Sequence, residues 1–231
     1  MATRAARLNT VRGPLRELGL GIPLGSRQVV PPVWALVSDT ESKLPDALRP
    51  VLAEAAREIG ELETRIRQVE HTLETLARES PVVTRLRTIP GVGLLTATAL
   101  VAFVGDAQRF PSGHFASYLG LTPRESSSGL RRRLGGISKC GDPYLRMLLI
   151  HGARSVLLHA KRTSEGQRDR LRAWALGRER LRGHNKAAVA LANKLARIAW
   201  AVWRHDRPFG APPRKETTWN PPPATAPSTR P

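Results

Sequence analysis

The densest run of reactive groups lies between Arg124 and Arg146. Three hydroxyls, Ser126, Ser127 and Ser128, stand directly ahead of Gly129, and Arg131, Arg132, Arg133, Lys139 and Arg146 follow. A serine hydroxyl can attack a phosphodiester when fixed cations offset the charge building on the pentavalent phosphate and ease loss of the hydroxyl proton. The same composition also suits a solvated basic loop that touches a phosphate backbone, with the serines as linker. A Ser-Gly pair alone does not separate the two.

A second cluster precedes it. Arg85 and Arg87 lead into Ile89-Pro90-Gly91-Val92-Gly93, and an Ala-rich helix begins at once. Pro90 stops the first helix, and Gly91 and Gly93 permit a hairpin with exposed backbone N–H groups. Such groups at a helix start can hold a phosphate, as in a helix-hairpin-helix that grips the nucleic-acid backbone. The other reading is a tight turn between two core helices.

These groups sit in a chain whose charge points the same way. The 231 residues carry 37 Lys plus Arg against 19 Asp plus Glu, a net +18. Residues 1–40 hold 5 basic and 2 acidic residues, 41–80 hold 6 and 9, and 81–231 hold 26 and 8. The whole excess therefore follows position 80, where it attracts phosphate in a salt-dependent way. Aromatic residues make up only 5%, which argues against a base-stacking sheet of the RNA-recognition type. One cysteine, Cys140, excludes an internal disulfide framework and a CxxC zinc site. The six histidines form no metal pattern, so no metal ligands are assigned. Without an apolar run of ~18 residues or a signal-peptide core, the protein is expected to be cytoplasmic, with no membrane contact.

The elements that must position the clusters read as mainly α. Residues 1–45 form a basic helical linker. Its stripe of Leu8, Val11, Leu15 and Leu18 lacks an obvious partner and suggests a helix belonging to a longer assembly. Residues 46–80 form a coiled-coil-like helix. Leu52, Ala55, Ile59, Leu62, Ile66, Val69, Leu73 and Leu76 recur at alternating steps of three and four. The seam predicts a homo-oligomer through residues 52–76, or one arm of an intramolecular hairpin. Residues 81–206 form a helical domain containing both clusters, with Trp174, Trp200 and Trp203 as core anchors of its last helices. Residues 207–231, rich in Pro and Thr, are expected to be disordered. Residues 122–143 show almost no apolar period, and no β-alternation of useful length appears.

The motif string is specific. Ile89-Pro90-Gly91-Val92-Gly93, Gly105-Asp106, Tyr118-Leu119-Gly120-Leu121-Thr122-Pro123, Ser128-Gly129, Ile137-Ser138-Lys139, Gly141, Leu145-Arg146 and the helix from Ala187 to Ala199 occur in order. Together they resemble the C-terminal part of transposases of the insertion-sequence-110 family, including its 116 and 902 members. The resemblance implies a helical transposase domain with a serine nucleophile that links covalently to DNA, guided by a structured RNA. It places the nucleophile on Ser128, with Ser127 as the alternative. Arg124, Arg131, Arg132, Arg133, Lys139 and Arg146 form the basic frame, and Arg85, Arg87, Gly91 and Gly93 form the backbone contact.

Such transposases also carry an N-terminal RuvC-like domain whose four carboxylates bind divalent metal. No segment here matches it, so the chain is expected to be a truncated version, inactive alone, with no cofactor of its own. Divalent metal is expected only with the missing carboxylate domain. The alternative from another class is a non-catalytic helix-hairpin-helix nucleic-acid-binding module.

Overall fold

The computed structural model describes residues 2–23, 25, 28–111, 113–128, 131 and 133–210. Gly129, Arg132 and most of the Pro-rich tail lie outside the described residues. The chain divides into two units, Met1–Glu79 and Ser80–Pro231. The protein is mainly α, with one small antiparallel strand pair among the described residues.

The first unit is built from α1 (Ala2–Glu17), α2 (Val30–Ser38) and α3 (Arg49–Glu79). Leu8, Val11 and Leu15 of α1 pack with Val33 of α2 and with Leu52, Ala56 and Ile59 of α3 in one core. The α1 stripe thus finds its partner within the unit rather than in a longer assembly. Two prolines open α2, where the first N–H groups have no acceptor inside the helix. Its C-terminal carbonyls are met by Arg49, whose Nη1 donates to Leu36, Val37 and Asp39 at 3.2, 3.0 and 2.7 Å.

The seam along α3 is not used as a whole. Leu52 and Ile59 are buried by their own chain, and Ala55 packs partly against the same core. Further on, Val69 and Leu76 are 59% and 56% exposed. The expectation of one continuous intermolecular seam over residues 52–76 is therefore corrected: its first part is an intramolecular contact.

The second unit contains α4 (Pro81–Leu86), α5 (Leu94–Val104), α6 (His114–Tyr118), β1 (Pro123–Glu125), β2 (Leu134–Ile137), α7 (Pro143–Arg162), α8 (Arg170–Arg182) and α9 (His184–Arg204). Side-chain caps set several starts. Asp142 Oδ1 accepts from the Leu145 N–H at 2.8 Å, and Asp169 Oδ1 from the Arg172 N–H at 2.7 Å. The central helix is α9, which buries five alanines, Leu191, Leu195, Val202 and Trp203 among α4, α6, α7 and α8. Small alanine side chains let those helices approach closely while the leucines fill the gaps. Trp200 is half-buried and donates its Nε1–H to the Phe110 carbonyl at 2.9 Å. Trp174 is not a core anchor; it lies partly exposed on α8.

Candidate functional site

The Ser/Arg cluster is carried on a hairpin. β1 pairs antiparallel with β2, with Pro123 opposite Ile137 and Glu125 opposite Leu134. The pairing continues outward: the Ser126 N–H donates to the Arg133 carbonyl at 2.9 Å. Ser128 and Arg131 pair at the tip, each N–H donating to the other's carbonyl at 3.3 and 3.2 Å. Cross-strand pairing sets Ser128 directly opposite Arg131, and Ser126 beside Arg133. Ser127 Oγ donates to Glu125 Oε1 at 2.7 Å and accepts from the Arg133 N–H at 3.2 Å. The two candidate serines thus differ in surroundings. Ser128 pairs with Arg131, and Ser127 contacts a carboxylate that could take its proton.

The foot of the hairpin is fixed by backbone meeting backbone. Lys139, at φ +58°, donates its N–H to the Gly120 carbonyl at 3.1 Å, and Ser138 donates to Thr122 at 2.8 Å. A Cβ at Gly120 would stand 2.0 Å from the Cys140 carbonyl oxygen, and one at Gly141 would stand 1.9 Å from that of Tyr118. Only glycine fits both positions, whose φ angles are also positive. Asn193 of α9 donates to the Leu121 carbonyl at 3.0 Å, tying the foot to the central helix. Arg146 Nη1 donates to the Leu119 carbonyl at 3.3 Å, which directs this guanidinium to the foot rather than the tip.

The α4–α5 turn forms a separate feature of the unit. α4 and α5 pack on each other across residues 87–93. Gly91, at φ +83°, lies so close to Gly152 of α7 that a Cβ on Gly152 would come within 2.0 Å of the Gly91 carbonyl oxygen. Close packing therefore requires Gly91, and Gly93 is the exposed residue that precedes α5. Arg85 is ion-paired with Asp206. Asp106 caps the short turn after α5, accepting from the Gln108 N–H at 2.8 Å.

The structure thus brings Arg124, Ser127, Ser128, Arg131 and Arg133 together on the hairpin, with Lys139 at its foot. Arg85, Arg87, Gly91 and Gly93 belong to the other turn. Among the described residues, no group of three His, Cys, Asp or Glu side chains is placed to hold a metal ion. None of the described helices is long and apolar enough to cross a membrane. Glu125 and Asn193 were missed by sequence reasoning. Glu125, two residues from Ser127, had a usable signal; Asn193, 72 residues from its partner, had none.

The second unit is thus a helical domain that presents serines and cations on a hairpin. Residues 83–168 match the family described as Transposase IS116/IS110/IS902. That family's transposase domain thus covers most of α4 to α7 in the second unit. It is 41% identical over 201 residues to a "Probable family 20 transposase" of Pseudomonas aeruginosa, covering 86% of this chain and 58% of that protein. It is 37% identical over 201 residues to the transposase for insertion sequence element IS1111A of Coxiella burnetii, covering 87% and 54%. A pilin gene-inverting protein of Moraxella lacunata is 30% identical over 206 residues, covering 78% and 62%. The chain spans little more than half the length of the first two relatives.

Proposed function

We propose that the chain acts in DNA transposition and recombination, with the hairpin as its DNA-cleaving element and Ser128 as the nucleophile. The observation that carries this reading is the pairing of Ser128 with Arg131 across the tip of the hairpin. In the step, Ser128 Oγ bonds to phosphorus as the P–O bond to the DNA breaks, and the serine proton passes by way of a base to the departing DNA oxygen, which leaves as a hydroxyl. Arg131 and Arg133 offset the charge on the phosphorane. Arg124, Arg132 and Lys139 add to the field that holds the DNA. The phosphoserine link conserves the phosphodiester energy, so the hydroxyl of a second DNA end can reverse the step and exchange strands. Ser127 is the alternative nucleophile, with Glu125 as its base.

The resemblance supports a structured guide RNA as a second partner, and a carboxylate domain as the source of any divalent metal. The described residues do not fit a metal, so no step here is routed through one. The exposed part of α3, including Val69 and Leu76, is proposed as a self-association surface.

The test is a denaturing gel for a protein–DNA adduct, run with a RuvC-like domain and guide RNA supplied from a relative and divalent metal added. A denaturant-stable adduct is expected from the wild type and not from Ser128→Ala. Salt-dependent DNA binding with no adduct would leave the non-catalytic binding module instead.

A further inference from the structure

A cavity of about 490 Å³ lies between α8, α9 and the foot of the hairpin, where Pro123 and Ile137 form one wall. Its lining includes Arg178, Arg182, Lys186, Lys194 and Arg197 and no carboxylate. Trp174 forms part of the same wall, with Lys194 Nζ 4.4 Å and Arg178 Cζ 5.6 Å from its ring centroid. Lys194 and Arg197 also line the neighbouring hollow beside Trp200, so the basic strip runs on along α9. From Lys186 to Arg197 the helix rises about 16 Å. That matches several phosphates of a stacked strand at about 3.4 Å each.

We propose that this groove holds an unpaired nucleic-acid strand, its phosphates on the five cations and a base on Trp174. Five like charges in one concavity repel one another, and a polyanion relieves that repulsion. The two cations lie over the indole. When a phosphate draws Lys194 away, the face beneath it opens to a base, which stacks on it. The groove is open to solvent and of nucleotide size, which favours one strand over a duplex. The inference rests on the reading of the chain as a nucleic-acid partner, but not on the serine chemistry.

The test is binding of unpaired oligothymidylate, unpaired oligouridylate and a duplex of equal length, followed by anisotropy and tryptophan fluorescence over a salt series. The wild type should prefer an unpaired strand and lose tryptophan emission on binding. Trp174→Ala should weaken binding by roughly 5- to 150-fold, as for other stacked bases. Trp174→Phe should keep most of the affinity and lose most of the emission change. The surface pair Arg182→Ala with Lys186→Ala should reduce the slope of log K against log salt by about 1.4. A preference for the deoxy or the ribo strand identifies the source, and either supports the groove. Variants that bind unpaired strands as the wild type does would overturn the groove while leaving nucleic-acid binding intact. A wild type that binds neither strand nor duplex would overturn the nucleic-acid reading itself.

Discussion

Ser127 Oγ donates to Glu125 Oε1 at 2.7 Å, whereas Ser128 pairs with Arg131. This contact separates two adjacent serines by chemistry. If Ser128 is the nucleophile, Glu125 serves only to hold the strand. Glu125→Gln, which keeps a hydrogen-bond acceptor at that position, should then leave adduct formation within about threefold of wild type, a small fraction of the 100-fold or more expected for loss of a general base. A loss of that larger size would move the chemistry to Ser127.

The contact between Gly91 and Gly152 predicts opposite outcomes for one substitution at two helical positions. A methyl on Gly152 meets the Gly91 carbonyl, whereas a methyl on Gly177 of α8 meets nothing within 4 Å. Gly152→Ala should lower the melting temperature by several degrees or prevent folding. Gly177→Ala should stabilise by about 0.8–1 kcal/mol, the helix-propensity gain. Thermal melts of both check the packing of the α4–α5 turn on α7. Equal shifts would contradict it.

Much of this architecture was legible in the chain. Pro81, the Asp142-Pro143 pair and Gly183 punctuate helices because each acts locally, through a missing donor, a cap or a positive φ. The Ala-rich run from Ala187 announced a packed helix. The hairpin was not legible: β1 is exposed throughout and β2 nearly so, which removes the period-two apolar pattern that reveals a strand. The role of Arg146 was hidden for another reason. Its acceptor on Leu119 lies 27 residues away, and composition cannot distinguish a cation aimed at a carbonyl from one aimed at phosphate. The α1 stripe looked unpartnered because its partner, α3, begins more than 30 residues later.

Glu179 predicts an acid-sensitive contact that fixes the start of α9. Its Oε1 accepts from Lys161 Nζ of α7 at 2.8 Å and from His184 Nδ1 at 2.7 Å. Burial pushes this carboxyl up, but the hydrogen bonds from Lys161 and His184 outweigh it and hold it below its ordinary value of 4.5. A depressed folded value means the contribution is full above the unfolded value and lost as pH falls through the folded one. The gap in melting temperature between wild type and Glu179→Gln should shrink as pH falls below 4.5. A gap that widens in acid would contradict the assignment.

The exposed part of α3 predicts concentration-dependent self-association. Val69 and Leu76 are seven residues apart on one helix face and are both more than half exposed. Sedimentation of the wild type should show a species larger than a monomer. Val69→Glu with Leu76→Glu should return it to monomer without loss of helicity. A monomeric wild type would remove the proposal and leave only the intramolecular part of the seam.

The central claim is that Ser128 attacks a DNA phosphodiester, and peptide mass spectrometry of the trapped adduct tests it most directly. With the carboxylate domain, guide RNA and divalent metal supplied, nuclease and protease digestion of the adduct should leave a nucleotide phosphate on the peptide containing Ser128. Fragmentation should place it on that residue, and Ser128→Ala should abolish it. A nucleotide on Ser127, or an adduct that survives both Ser127→Ala and Ser128→Ala, would contradict the account.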